Sequence, residues 1–204
     1  MPFSTDTKWP QGLLNIFEIY RDGKHSRRDV GHYNGLLNYA IGGDFTFFVD
    51  SHPAYNVTLP DYSIPWPFST LLVVKTQERQ SVLFAEIIRD EWANDTYCRE
   101  SAHTQMCRRL NQILPDCPIP RLYGLSLLRT SLCVYCADTV TRRITCHSIP
   151  DTHPLHNPDV DILPSDYLQG HWNIDILSPE GLTKMQEIFG YIRAEVEAAN
   201  VVGQ

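Results

Sequence analysis

The stretch Phe68-Ser-Thr-Leu-Leu-Val-Val-Lys75, then Thr76-Gln-Glu-Arg-Gln80, then Ser81-Val-Leu-Phe-Ala-Glu-Ile-Ile88 decides the fold. Two apolar, β-branched runs around a short polar loop predict a β-hairpin. The second run is apolar almost throughout rather than alternating, as in a strand covered on both faces. Val82 to Ala85 should therefore lie centrally in a sheet, with one carboxylate, Glu86, near the end of the run. A core carboxylate is costly unless it is paired or binds a metal. Downstream, Ala102, Met106, Arg109/Leu110 and Ile113 fall on one face of a helix.

Further elements flank this unit. Residues 1–12 read as a loosely held tail, and Leu13 to Tyr20 reads equally as a short helix or a strand. Ser26 is placed to cap a helix through Asp29, Tyr33, Leu36, Leu37 and Ala40, ended by Gly42-Gly43. Asp44 to Asp50 resembles a strand, and the prolines at 53, 60, 65 and 67 enforce a loop or an edge segment. After an extended Pro115–Pro120 connector, Leu122–Leu128 and Ser131–Asp138 read as an antiparallel pair that Arg142–Ser148 extends. Pro150–Pro164 is an irregular loop by composition, and Pro164–Leu168 is expected to begin a short helix. Ser178-Pro179 is an N-cap with proline at the first helical position; Met185, Ile188, Phe189, Ile192 and Val196 share a face of the helix that follows. The expected class is α/β (α+β), a mixed central sheet flanked by helices, with residues 1–25 an N-terminal extension and 26–200 a single domain.

Composition bounds what such a domain does. A chain of 204 residues is long enough for a sizeable core, and 43% apolar with 20% charged residues is ordinary for a globular protein. No apolar run approaches the roughly 20 residues of a membrane helix, and the N-terminus lacks a basic-then-apolar leader pattern, so an intracellular protein, cytoplasmic or nuclear, without a membrane partner is expected. The Asn-x-Thr sites at Asn56 and Asn94 are then chance matches. A net charge of −7 counts against a domain devoted to gripping phosphate backbones, and the pairs Arg27-Arg28, Arg108-Arg109 and Arg142-Arg143 read as solvated faces.

The six cysteines, at 98, 107, 117, 133, 136 and 146, are expected to be thiols. Cys133-x-x-Cys136 has the spacing of a metal knuckle or redox pair, but on a strand residues three apart face opposite ways. His147, His153 and His156, with Asp151, Asp159 and Asp161, form a local cluster of metal-ligating types, but prolines interrupt it and no fixed element aims the ligands. Ser126 follows Gly124-Leu125 without the second glycine of a nucleophile elbow.

The order helix, hairpin ending in a carboxylate strand, helix, strand is similar to the core of the PD-(D/E)XK nuclease superfamily, the restriction-endonuclease-like fold. Ala85-Glu-Ile-Ile88, Gln105-Met-Cys-Arg-Arg109, Pro120-Arg-Leu-Tyr-Gly-Leu-Ser126 and Trp172-Asn-Ile-Asp-Ile-Leu177 resemble segments of a large group of uncharacterised proteins from mushroom-forming fungi. The likeness covers roughly residues 26 to 200. It implies two acids holding a divalent metal, Mg²⁺ or Mn²⁺, which polarises a phosphate and activates water, beside a lysine that orients that water.

The pattern is incomplete here. Glu86 stands at the second acid and metal-ligand position, but the lysine position is Ile88 and the first acid should fall near Pro67. Arg89 would point to the other face, and Asp44, Asp50 and Asp61 lie upstream as displaced acids. His103 stands where relatives carry an acid before Gln105. The resemblance thus implies Glu86, His103 and Gln105 as site residues, with Glu100, Arg99 or Tyr33 nearby. Three readings follow: a degenerate nuclease-like scaffold serving in binding or interaction; an enzyme acting on a small molecule in a Glu86/His103/Gln105 pocket, where Glu86 and His103 bind a softer divalent metal or act as a general acid/base pair; or an active nuclease with a displaced acid. Nucleic acid and small-molecule ligands are the partners these readings imply. A further reading is purely structural, with Glu86 paired to Arg99, Arg109 or a helix terminus and His103 a partly exposed helix residue.

Overall fold

A computed structural model describes residues 2–21, 31–42, 46–53, 69–88, 94–146 and 165–202. Among them, strands β1 (Phe47–Pro53), β2 (Thr70–Thr76), β3 (Ser81–Ile88), β4 (Arg121–Leu128), β5 (Ser131–Asp138) and β6 (Ile144–Cys146) lie side by side in that order, and β7 (Ile174–Asp175) also pairs with β5. Every pairing is antiparallel except β3 with β4. A parallel pair needs a long crossover, and helix α4 (Thr96–Ile113) supplies it. The predicted hairpin is β2–β3, with Leu71 opposite Glu86. Its turn closes with Arg79 N–H on the Thr76 carbonyl, and Arg79 takes the left-handed backbone (φ 64°) that such a tight reversal needs.

The sheet has a core on each face. On one side Leu72, Val74, Leu83 and Ala85 pack with helices α1 (Pro2–Thr5), α2 (Gln11–Arg21), α3 (Gly31–Ile41) and α5 (Pro179–Val202). On the other, Leu71, Val73, Phe84 and Ile88 meet Ala102, Met106 and Leu110 of α4. This explains why β3 reads as an unbroken apolar run: alternate side chains enter opposite cores. The class is mixed α/β, a mostly antiparallel sheet flanked by helices. The α5 face is as expected, with Met185, Ile188, Phe189, Ile192 and Val196 buried and Ser178 Oγ accepting the Gly181 N–H at 3.0 Å.

Three expectations are corrected or resolved. Leu13–Tyr20 lies in a helix, α2, whose Leu13 and Phe17 enter the core. The start of the chain is not a loose tail: Phe3 and Trp9 are 1% and 3% exposed. Trp9 Nε1 donates to the Ile176 carbonyl at 2.9 Å, Gln186 Nε2 donates to the Phe3 and Asp6 carbonyls, and Phe3 packs edge-on against Tyr39 and Phe189. Two aromatic anchors, Phe3 and Trp9, bury too much apolar area to stay in water. Residues 165–170 form turns rather than the expected short helix: Leu168 and Gly170 take left-handed backbone (φ 56° and 80°), which a right-handed helix cannot include. Ser26, Gly43, Asp44 and the segment 150–164 lie outside the described residues. Among those described, no helix is long and apolar enough to cross a membrane.

Candidate functional site around Glu86

Glu86 sits on the α4 side of β3 and is 0% exposed. Two hydrogen-bond donors and a cation converge on its Oε1. Ser69, just before β2, donates from Oγ at 2.6 Å. Gln105 Nε2 donates to the same oxygen and also to Ser69 Oγ, the latter at 3.1 Å. Arg109 Nε lies 3.5 Å from it as an ion pair. Gln105 and Arg109 are four residues apart, one helical turn, so α4 presents both over the same strand. Among the described residues, Glu86 Oε2 and Arg109 Nε have no hydrogen-bond partner.

The position of α4 makes this convergence possible. Asp95 caps it, accepting the Cys98 N–H at 2.8 Å, and those amide donors hold the Asp95 carboxyl below the usual carboxylate range. Arg99, 5% exposed, ties the first turn to the 165–167 segment by donating to the Tyr167 and Ser165 carbonyls, each at 2.9 Å. Opposite the middle of the helix, β4 carries Gly124. A Cβ there would lie 2.6 Å from Met106 Sδ, so glycine lets the helix close onto the sheet.

Electrostatically the site is inward-looking. Burial pushes the Glu86 carboxyl above the ordinary glutamate range, and Arg109 and Ser69 pull it only part of the way back. Ile88, at the position where the nuclease pattern has lysine, is 3% exposed and belongs to the α4-side core. Pro67, Asp61, Asp44 and Arg89 lie outside the described residues. Of the candidate displaced acids, Asp50 is on β1 and pairs with Lys75 at 2.8 Å. The neighbour that meets Glu86 from the β2 side is a hydroxyl, Ser69. Among the described residues no group of three or more His, Cys, Asp or Glu is arranged to hold a metal.

Of the predicted site residues, the structure brings Gln105 to Glu86 and takes His103 elsewhere. His103 Nδ1 meets the Tyr135 hydroxyl at 3.0 Å, and Cys107 Sγ lies 3.8 Å from its Nε2. Burial holds the Tyr135 phenol well above its usual range, so it meets the ring as a neutral hydroxyl. Glu100 accepts from Thr104 at 3.1 Å, Arg99 serves the 165–167 segment, and Tyr33 belongs to the opposite core, donating to the Arg129 carbonyl at 2.6 Å. Of the partners the structural reading offered Glu86 (Arg99, Arg109 or a helix terminus), Arg109 lies at ion-pair distance, while Arg99 donates to the Tyr167 and Ser165 carbonyls. Ser69 went unread: it lies two residues before Leu71, and only the pairing of Leu71 with Glu86 in the folded hairpin gives that spacing its meaning.

Ser126 is no exposed nucleophile. It pairs beside Glu86 in the parallel register, is 0% exposed, and accepts from Trp172 Nε1 at 3.1 Å. Cys133 and Cys136 face opposite sides, Cys133 in the α4-side core and Cys136 in an open groove of about 540 Å³ that also includes Arg121, Tyr123, Arg143 and Lys184. That groove lies along α5, on the sheet face away from Glu86. His147, His153 and His156 are outside the described residues. Compared with protein families, curated proteins and solved structures, the chain matches none.

Proposed function

We propose that this chain is a nuclease-like scaffold, built on a restriction-endonuclease-like core, whose site has degenerated and whose role is binding or interaction rather than phosphodiester cleavage. The observation that carries the reading is the enclosure of Glu86: an acid with 0% exposure, whose Oε1 is taken by Ser69, Gln105 and Arg109. A metal ligand for catalysis must share its oxygens with an ion open to substrate and water. Here a fixed guanidinium supplies the positive charge from within the core, and an isoleucine replaces the amine that would steer the nucleophile. The buried acid then specifies how α4 docks on the sheet.

The small-molecule enzyme reading loses its acid–base pair, because His103 is engaged with Tyr135 rather than with Glu86. The displaced-acid reading finds Asp50 paired with Lys75. A concave surface for a partner lies instead along α5, in the open groove, and the net charge of −7 favours partners other than a phosphate backbone.

The test is a sensitive assay on single- and double-stranded DNA and RNA with Mg²⁺ and with Mn²⁺. The expected result is no cleavage above a protein-free blank for either the native chain or Glu86→Ala. Turnover by the native chain that Glu86→Ala abolishes would overturn the proposal.

A further inference from the structure

The α4-side core holds a second cluster that the Glu86 site does not use. Cys133 on β5 and Cys146 on β6 approach with their Sγ atoms 3.0 Å apart. Cys146 is opposite Tyr135 in the antiparallel register, which makes Cys133 its diagonal neighbour on one face of the sheet. Both sulfurs border the core that also contains Tyr135 and Cys107. Thiols and an imidazole often gather around a metal, but no arrangement fit to hold one exists among the described residues. The two sulfurs stand only about 1 Å beyond the ~2.05 Å of a disulfide bond. Their burial differs in a useful way: Cys133 is 1% exposed, and Cys146, on the three-residue strand β6, is partly exposed.

We propose that Cys133 and Cys146 form a reversible intramolecular disulfide site, closed by a peroxide-class oxidant and reopened by a small thiol of the glutathione class. The accessible Cys146 thiolate attacks one peroxide oxygen. The O–O bond breaks, the departing hydroxide takes up a proton as water, and Cys146 is left as a sulfenic acid. The Cys133 sulfur, already in contact, attacks the Cys146 sulfur; the S–S bond forms, the S–O bond breaks, and the Cys133 proton leaves with the hydroxyl as a second water. Two thiols give up two electrons in total and hydrogen peroxide takes them. Reduction runs by thiol–disulfide exchange, two small thiols leaving as their own disulfide. Cys107 is set apart by geometry: its Sγ lies 3.8 Å from His103 Nε2, whereas Cys133 and Cys146 meet each other. The bond would tie β6, which the register holds over three residue pairs, to β5.

The test uses the full chain, first reduced, then exposed to hydrogen peroxide, alkylated with iodoacetamide, digested with trypsin without reduction and mapped by mass spectrometry. Arg142 and Arg143 lie between the two cysteines, so the bond joins two tryptic peptides, residues 130–142 and the one starting at Ile144. The expected product has lost two hydrogens, keeps four of its six cysteines alkylatable, and is linked through Cys133 and Cys146. Dithiothreitol restores all six. Cys136→Ser, on the same peptide but the opposite face, keeps the link, and Cys146→Ser loses it. Oxidation that stops at Cys146 sulfinic acid, or that joins Cys146 to Cys107 or to a second chain, would overturn the proposal. So would two thiols that both stay alkylatable. If Cys146→Ser does not fold, the map of the native chain and of Cys136→Ser decides the matter.

Discussion

Removing the guanidinium beside Glu86 should cost stability in a way that depends on both pH and the acid itself. With Arg109 Nε 3.5 Å from Oε1, a partly screened Coulomb attraction is roughly 5 kcal/mol at an effective dielectric near 20. Breaking a buried pair by deleting one partner typically costs about 3–5 kcal/mol, because the other charge is left stranded. Arg109→Met keeps most of the side-chain stem, so about 3 kcal/mol of destabilisation is expected at pH 7.5. The Glu86 carboxyl is already raised by burial, and losing Arg109 raises it further. At a pH near the ordinary glutamate range the acid is protonated in the folded chain, the stranded charge disappears, and the cost should fall to about 1 kcal/mol of lost packing.

The sign follows from linkage. A carboxyl raised in the folded state binds its proton more tightly there than when unfolded. Its contribution to stability is therefore present below the unfolded value and is lost as pH rises through the folded value. Glu86→Gln should flatten this part of the pH profile. In that background Arg109→Met should cost about 1 kcal/mol at either pH, giving a coupling energy near 2 kcal/mol at pH 7.5. Urea denaturation of the four proteins at two pH values measures all of this. An Arg109→Met cost that is the same with and without the Glu86 charge would refute the reasoning.

The remaining expectations concern packing and can be read from the same urea midpoints. Gly181→Ala should destabilise by about 2–3 kcal/mol, although alanine ordinarily favours a helix, because the new Cβ would lie 2.3 Å and 2.5 Å from the Asp175 and Ile176 carbonyl oxygens, which are fixed backbone. Gly124→Ala should cost less, about 1–2 kcal/mol, because the Met106 Sδ it meets belongs to a flexible side chain that can move aside; equal costs would contradict this ordering. Trp9→Phe should cost about 1–2 kcal/mol through the lost donor to the Ile176 carbonyl, and a neutral result would mean that the chain start is not docked as described.

The hairpin, the central strand and the α5 face were legible because each repeats a pattern over several residues: a continuous apolar run for β3, and a cap with an apolar stripe for α5. The docking of the chain start was not, because α1 spans four residues and only Phe3 and Trp9 signalled burial. At the site, periodicity placed Arg109 on the apolar face of α4, while Gln105 and His103 were named together by the resemblance. Sequence could not separate those two, because neighbouring positions on one helix reach different strands: Gln105 meets β3, and His103 meets Tyr135 on β5. Ser69 was illegible for a different reason. A hydroxyl at the mouth of a strand acquires its meaning from register, and the Leu71–Glu86 pairing is fixed only when the hairpin forms.

The most direct measurement is a carbon-13 NMR titration of the Glu86 side-chain carboxyl in the native chain, without divalent metal and then with millimolar Mg²⁺. An enclosed structural acid should titrate above the ordinary glutamate range, with a midpoint that Mg²⁺ leaves in place. A midpoint at or below that range, pulled lower by Mg²⁺, would mean that the carboxylate is open to an ion, and would contradict the account.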